Sequence, residues 1–249
     1  MEGPVFQSAY DSVWHHPAIC WIAALALVLR VCVSKPFGER WVNRFALIFA
    51  FEIALDAFFT GPLSPISNGT WATALSIIFV ILGDLRFFLL AERHRARRFF
   101  ALSSIALSLI VPVGSYLLGL VIASPTPRVT YLTYELLFVV QLFVYGGLAL
   151  RQRELSSSAR TWLKSLIAFE LIQYSLWAAA DVVILKWGDP GFALRLVPNI
   201  LYYALFLPFV WWRAPRHETK NRPLSDPHRV LSKEREPEQK RGQARALSG

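Results

Sequence analysis

The stretch Ala46-Leu47-Ile48-Phe49-Ala50-Phe51-Glu52-Ile53-Ala54-Leu55-Asp56 sets two carboxylates inside an otherwise apolar run. Ser165-Leu166-Ile167-Ala168-Phe169-Glu170-Leu171-Ile172 repeats its Ala-Phe-Glu core later in the chain. Both read as membrane-spanning helices, where an acid at the bilayer centre costs roughly 2.5–3.5 kcal/mol or more unless it is neutralised or faces a polar interior. Helical spacing puts Glu52 and Asp56 on one face and Ala46, Ala50 and Ala54 on a small-residue ridge roughly opposite. A helix built this way is predicted to be buried on two sides.

Working outward, the whole chain has membrane composition. Its 249 residues are 55% hydrophobic and only 17% charged, with a mean hydropathy of +0.41, outside the range of ordinary soluble domains. The net charge of +9 does not point to nucleic acid, because the basic residues sit in short clusters between apolar runs, as they do when they encode topology. At about 20 apolar residues per crossing, seven spans are predicted, near 17–34, 42–60, 71–91, 99–123, 130–150, 162–185 and 193–212. The fold class is therefore all-α, a polytopic bundle of seven transmembrane helices occupying residues 1–212. Residues 213–249 are polar, rich in Pro and in both charge signs, and free of Phe, Tyr and Trp, and so are predicted to form a disordered basic cytoplasmic tail.

Lys and Arg favour cytoplasmic loops. The first, third and fifth loops with their edges hold eleven (Lys35, Arg40, Arg44; Arg93, Arg95, Arg97, Arg98; Arg151, Arg153, Arg160, Lys164), whereas the opposite side holds three, Arg128, Lys186 and Arg195. The N-terminus is thus predicted outside and the C-terminus inside. Trp14, Trp71 and Trp187 fall at outer ends and Trp41, Trp162, Trp211 and Trp212 at inner ends, as an aromatic belt requires. If the two Ala-Phe-Glu helices correspond, spans 1 to 3 and 5 to 7 form a 3+1+3 parallel pseudo-repeat, an arrangement used by transporters with a midplane site between halves.

Candidate site residues are the ionisable and polar groups inside the spans. Glu52, Asp56, Asp84, Glu135, Glu170 and Asp181 supply carboxylates, and Gln173, Tyr174 and Asn199 supply hydrogen-bonding groups. Glu170, Gln173, Tyr174, Trp177 and Asp181 recur at intervals of three and four, a polar stripe along one side of the sixth helix. These residues are read as a substrate or proton pathway. Arg86, two residues from Asp84, projects from nearly the opposite side and is near enough to the inner surface to serve as an interfacial anchor. Pro198 and Pro208 predict a kinked last helix, with Asn199, Tyr202 and Tyr203 available to satisfy the freed carbonyls.

Several chemistries are excluded. All five histidines lie outside the spans, so no intramembrane zinc site or Ser/His dyad is expected. The last span has no lysine for a retinal Schiff base. Neither a metal nor any other cofactor is predicted. The partners expected are the lipid bilayer and a small solute or proton, with no nucleic acid.

Trp177 through Asn199, ending in Pro198-Asn199 near the start of the last helix, resembles part of the second triple-helix unit of the SWEET and PQ-loop transporters. The resemblance implies a seven-helix solute carrier with Asn199 as a binding residue. The chain departs from that pattern in lacking a Pro-Gln pair and in carrying more buried acids. Ala50-Phe51-Glu52 is similar to the acid-bearing helix of the small integral membrane terpene cyclases. That resemblance implies Glu52 as the catalytic acid, with Phe51, Phe58 and Phe59 steadying carbocations, although the last helix lacks the family's second acid.

The reading adopted is a multi-pass protein of the cell membrane, a small-solute carrier or binding protein with a carboxylate-lined interior, coupled to protons. It leans away from an enzyme. The alternatives are a terpene cyclase-type enzyme using Glu52 and a seven-helix sensor or assembly partner.

Overall fold

The computed structural model describes residues 5–33, 40–66, 69–93, 97–122, 126–152 and 155–214, and these are helical with short connections. The elements are α1 (Val5–Tyr10), α2 (His16–Val33), α3 (Arg40–Phe59), α4 (Thr70–Ala91), α5 (Arg97–Val121), α6 (Pro127–Gln152), α7 (Ser157–Trp187) and α8 (Asp189–Asn199). A π-helical segment, Ile200–Leu205, then leads into α9 (Phe206–Arg213). From residue 215 on, the expected tail lies outside the described residues, as does Lys35 in the first loop.

Among the described residues, five helical stretches are long and apolar enough to cross a membrane: Thr70–Ala91, Phe99–Val121, Pro127–Arg151, Ser157–Trp187 and Asp189–Arg213. This is the build of a helical integral membrane protein. The apolar part of α2, Ala18–Val33, is shorter, and α3 carries Arg40, Arg44, Glu52 and Asp56 within its 20 residues. Large apolar side chains stand exposed on α5 and α6, among them Leu102, Ile110, Leu117, Val140, Phe143 and Leu148. An apolar surface of that extent suits lipid rather than water.

Helix pairs follow chain order, α2 with α3, α4 with α5, α5 with α6, α6 with α7 and α7 with α8. The last helix closes the bundle, its π-helical segment against α2 and α9 against α3, while α4 meets α7. Lipid is as apolar as Leu, so packing and polar contacts hold such helices together. Aromatic rings supply much of that packing here. Phe88 and Tyr145 meet edge to face at 5.4 Å, and Phe138 stacks on Tyr174 at 4.1 Å.

The α7–α8 corner shows how local sequence fixes tertiary placement. Gly188 adopts φ +71°, a left-handed conformation costly for other residues, and its N–H closes the end of α7 on the Ile184 carbonyl at 2.9 Å. Pro190 lies in the first turn of α8, where its missing N–H is harmless. Gly191 then packs so tightly that a Cβ would stand 2.5 Å from the Ile184 nitrogen. The resulting hairpin folds Arg195 back beside Asp181.

α3 is buried along one broad face rather than on the two sides expected: Glu52 and Asp56 lie at one edge of that face and Ala46 and Ala50 at the other, with Phe49 and Ile53 buried between them, Ala54 half-buried, and Ile48 and Phe51 exposed on the opposite side. Trp14, Trp71, Trp187 and Trp212 are exposed, as belt residues would be. Trp162 departs from that expectation. It is only 3% exposed and stacks on Phe209, because the Ser157–Trp187 helix starts well before the apolar span and packs its first turns against α9.

Candidate functional site

All nine candidate side chains, Glu52, Asp56, Asp84, Glu135, Glu170, Gln173, Tyr174, Asp181 and Asn199, are buried. They do not form one line. The structure divides them between two clusters, and each is centred on an arginine that the sequence analysis placed elsewhere.

In the deeper cluster Asp84 on α4 accepts hydrogen bonds from the hydroxyls of Tyr134 at 2.5 Å and Tyr174 at 2.9 Å. The two-residue offset then sends Arg86 to the other side of α4, toward the last helix. Arg86 does not reach an interface as expected. It is 0% exposed, and its Nη2 donates to the Tyr202 carbonyl at 3.1 Å. The guanidinium carbon lies 3.7 Å from the centre of the Tyr202 ring and 4.4 Å from that of Phe206. Those ring faces compensate a buried cation in part, and carboxylates act on it at longer range.

Glu52 from α3 and Glu170 from α7 both lie within electrostatic range of this guanidinium, as does Asp56. Asp56 accepts from the Thr60 hydroxyl at 2.9 Å and from the Tyr203 hydroxyl. Gln173 Nε2 donates to Glu170 at 3.2 Å. Four carboxylates, Glu52, Asp56, Asp84 and Glu170, thus lie within electrostatic range of one arginine. Several polar atoms there have no partner, namely Glu52 Oε2, Gln173 Oε1, Arg86 Nε and Arg86 Nη1.

The outer cluster is balanced in charge. Arg195 Nη1 donates to Asp181 and, at 3.2 Å, to Glu135, and Arg128 Nη1 reaches the same Asp181 oxygen at 3.1 Å. Arg195, counted from sequence as an outer-surface charge, is only 8% exposed. Trp177 Nε1 donates to Asn199 Oδ1 at 2.6 Å, which turns Asn199 Nδ2 toward His15 Nε2, 3.3 Å away. His15 Nδ1 completes the chain on the Tyr10 carbonyl at 2.8 Å. An indole N–H only donates and a carbonyl only accepts, so the donor order fixes His15 as neutral with its proton on Nδ1. Burial lowers the imidazole pKa in the same sense.

Helix α1 caps this cluster. Its Phe6 and Gln7 N–H groups donate to the Asp189 carboxylate at 3.2 and 2.7 Å, and the Tyr10 hydroxyl accepts from Arg195 Nε at 3.1 Å. His15 is thus engaged through both ring nitrogens.

One further buried acid lies outside both clusters and outside the candidates named from sequence. Glu92, just past the end of α4, is 0% exposed and accepts from the Tyr145 hydroxyl at 2.8 Å and the Ser103 hydroxyl at 2.9 Å. Its position among the basic residues of the third loop gave no sign of burial. The aromatic wall expected around Glu52 also differs, since Phe51 is 67% exposed, facing away from the acid, and Tyr202 stands on the Glu52 side instead. A helix places neighbours in sequence about 100° apart, so the residue beside the acid could not share its direction.

Chemically, the outer cluster is a neutralised structural network, whereas the deeper one carries more acid than base. Buried carboxylates without counter-charge are expensive, so the deeper cluster has need of protons or a cationic group from elsewhere. Comparison of the chain with protein-family models, with curated proteins and with solved structures finds no match to any of them.

Proposed function

We propose that the chain is a polytopic protein of the cell membrane, crossing it seven times with the N-terminus outside and the C-terminus inside. It carries or binds a small solute at the Arg86 cluster and couples that step to a proton. The observation that carries this reading is the surplus of acid: Glu52, Asp56, Asp84 and Glu170, drawn from three helices, are buried within electrostatic range of one guanidinium whose Nε and Nη1 have no partner. A site of that kind can take a proton, a positive charge and an anionic or carbonyl oxygen in turn.

The apolar character of α2 and the burial of Glu52 and Asp56 on α3 support counting both as crossings. The loop bias of Lys and Arg supports the orientation. Two Ala-Phe-Glu helices sharing Arg86 favour the 3+1+3 pseudo-repeat, with the site between its halves.

The terpene cyclase reading keeps one specific support, because Glu52 Oε2 is unpartnered and the Tyr202 ring is close by. Reconstitution separates the two. Vesicles holding the protein under an imposed pH gradient are offered labelled amino acids, sugars and organic cations, and membranes are offered prenylated epoxides. Accumulation of a solute that a protonophore collapses supports the carrier. Cyclised product from wild type and none from Glu52→Gln supports the enzyme, and a failure to accumulate any solute removes the carrier.

A further inference from the structure

Outside both clusters, a groove of about 320 Å³ opens where the N-terminus of α7 meets the end of α9. Ser157, Ser158, Thr161, Trp162, Ser165 and Arg213 line it. We propose that this groove binds the phosphate group of an anionic phospholipid or of a soluble phosphate compound.

Among the described residues the lining is rich in donors and has no carboxylate. Trp162 is 3% exposed, yet its indole N–H has no hydrogen-bond partner. An indole nitrogen can only donate, so this buried group calls for an acceptor from outside the chain. Arg213 adds a guanidinium suited to bidentate contact with phosphate oxygens. Its ring contact within the chain is a distant one, with Trp212 at 5.8 Å.

The helix end contributes as well. α7 is 31 residues long and has no acid in its first turn, so no carboxylate of that turn offsets the partial positive charge of its N-terminus. Ser156 takes the cap role by accepting from the Ala159 N–H at 3.2 Å. That leaves the neighbouring Ser157 and Thr161 hydroxyls available to a ligand, while Ser165 is turned back onto the Trp162 carbonyl at 2.8 Å.

Placement favours phosphate over other anions of similar charge. Trp212, 66% exposed beside Arg213, and the exposed Arg160 and Lys164 mark this end as a membrane interface on the basic side of the protein. The proposal rests on the membrane reading and not on the transport reading, so loss of the carrier function would leave it standing.

The test uses the full-length protein in detergent, with thermal stabilisation and native mass spectrometry as readouts. Dioleoylphosphatidylglycerol and inorganic phosphate serve as the two probes, with dioleoylglycerol as the control lacking phosphate. Arg213→Gln, Trp162→Phe and Thr161→Val are the variants, the last a guard against misfolding of the indole replacement. The proposal expects binding of at least one phosphate probe, none of the control, and about tenfold weaker binding in Arg213→Gln and Trp162→Phe, as loss of a charge-assisted contact implies. Binding of the lipid alone assigns the source to the bilayer, and equal protection by inorganic phosphate assigns it to a soluble compound. Affinity unchanged in every variant, or the control lipid bound as well as the phospholipid, overturns the proposal.

Discussion

Arg86 donates to the main-chain carbonyl of Tyr202 and lies against the face of the same residue's ring, 3.7 Å from its centre. Tyr202 belongs to the π-helical segment Ile200–Leu205, where the backbone departs from the regular α-helical hydrogen-bond pattern. The irregular turn and the buried cation are therefore one device. It ties α4 to the last helix and holds a positive charge where Glu52 and Glu170 can both sense it.

Removing that charge should be costly, and more so than its single protein hydrogen bond implies. Arg86→Met is expected to lower stability in detergent by about 3 kcal/mol or more, because carboxylates are left without a counter-charge. Glu170→Gln in the Arg86→Met background should then be neutral or stabilising. A double-mutant cycle is expected to give a coupling of about 1 kcal/mol or more. Additive effects would mean that the two residues do not communicate.

Gly83 makes room for the same ring. A Cβ there would overlap the Tyr202 hydroxyl and stand 2.9 Å from its ring carbon. Gly83→Ala should destabilise by about 1–3 kcal/mol through overpacking. Tyr202→Phe, by deleting the closest atom, should recover part of the loss, and thermal melts of the single and double variants provide the comparison.

The α1 cap is expected to be sensitive to pH through His15. Burial lowers its pKa from 6.5 in the docked state, so the released segment binds the proton more readily. Docking stabilisation is then fully present above about 6.5 and is lost as pH falls through the interval below that value. Protonation would also place an N–H against Asn199 Nδ2, while Asp11 opposes the shift by its charge. A spin label at Val5→Cys, an exposed site, should gain mobility on acidification in wild type and lose that response in His15→Gln. A response surviving in His15→Gln would remove His15 as the source of the pH dependence.

Much of this was legible in the sequence, for reasons that also explain the rest. Apolar runs report helices directly, so the span read as 71–91 appears as Thr70–Ala91. The stripe from Glu170 to Asp181 is buried throughout because helical periodicity fixes a shared direction. Arg86 and Arg195 were misplaced because position along a span says only how far a cation is from water. Their partners, Tyr202 for one and Glu135 and Asp181 for the other, come from different helices. Glu92 was lost in the same way, since a basic loop hides the tyrosine that folds over it.

Orientation can be checked without any knowledge of substrate. A tag after Gly249 should be reached only from the cytoplasm, and a maleimide that cannot cross the membrane should label Leu63→Cys, at an exposed position between α3 and α4, only from outside. Labelling with the opposite sidedness would reverse the bundle.

The most direct test of the central claim is proton movement by the purified protein in sealed vesicles, followed with a pH-sensitive dye on addition of each solute from the uptake screen. Wild type should take up protons with at least one solute, while Glu52→Gln and Glu170→Gln, whose amides keep shape but cannot exchange a proton, should fold normally and move none. Proton uptake unchanged in both variants would contradict the account.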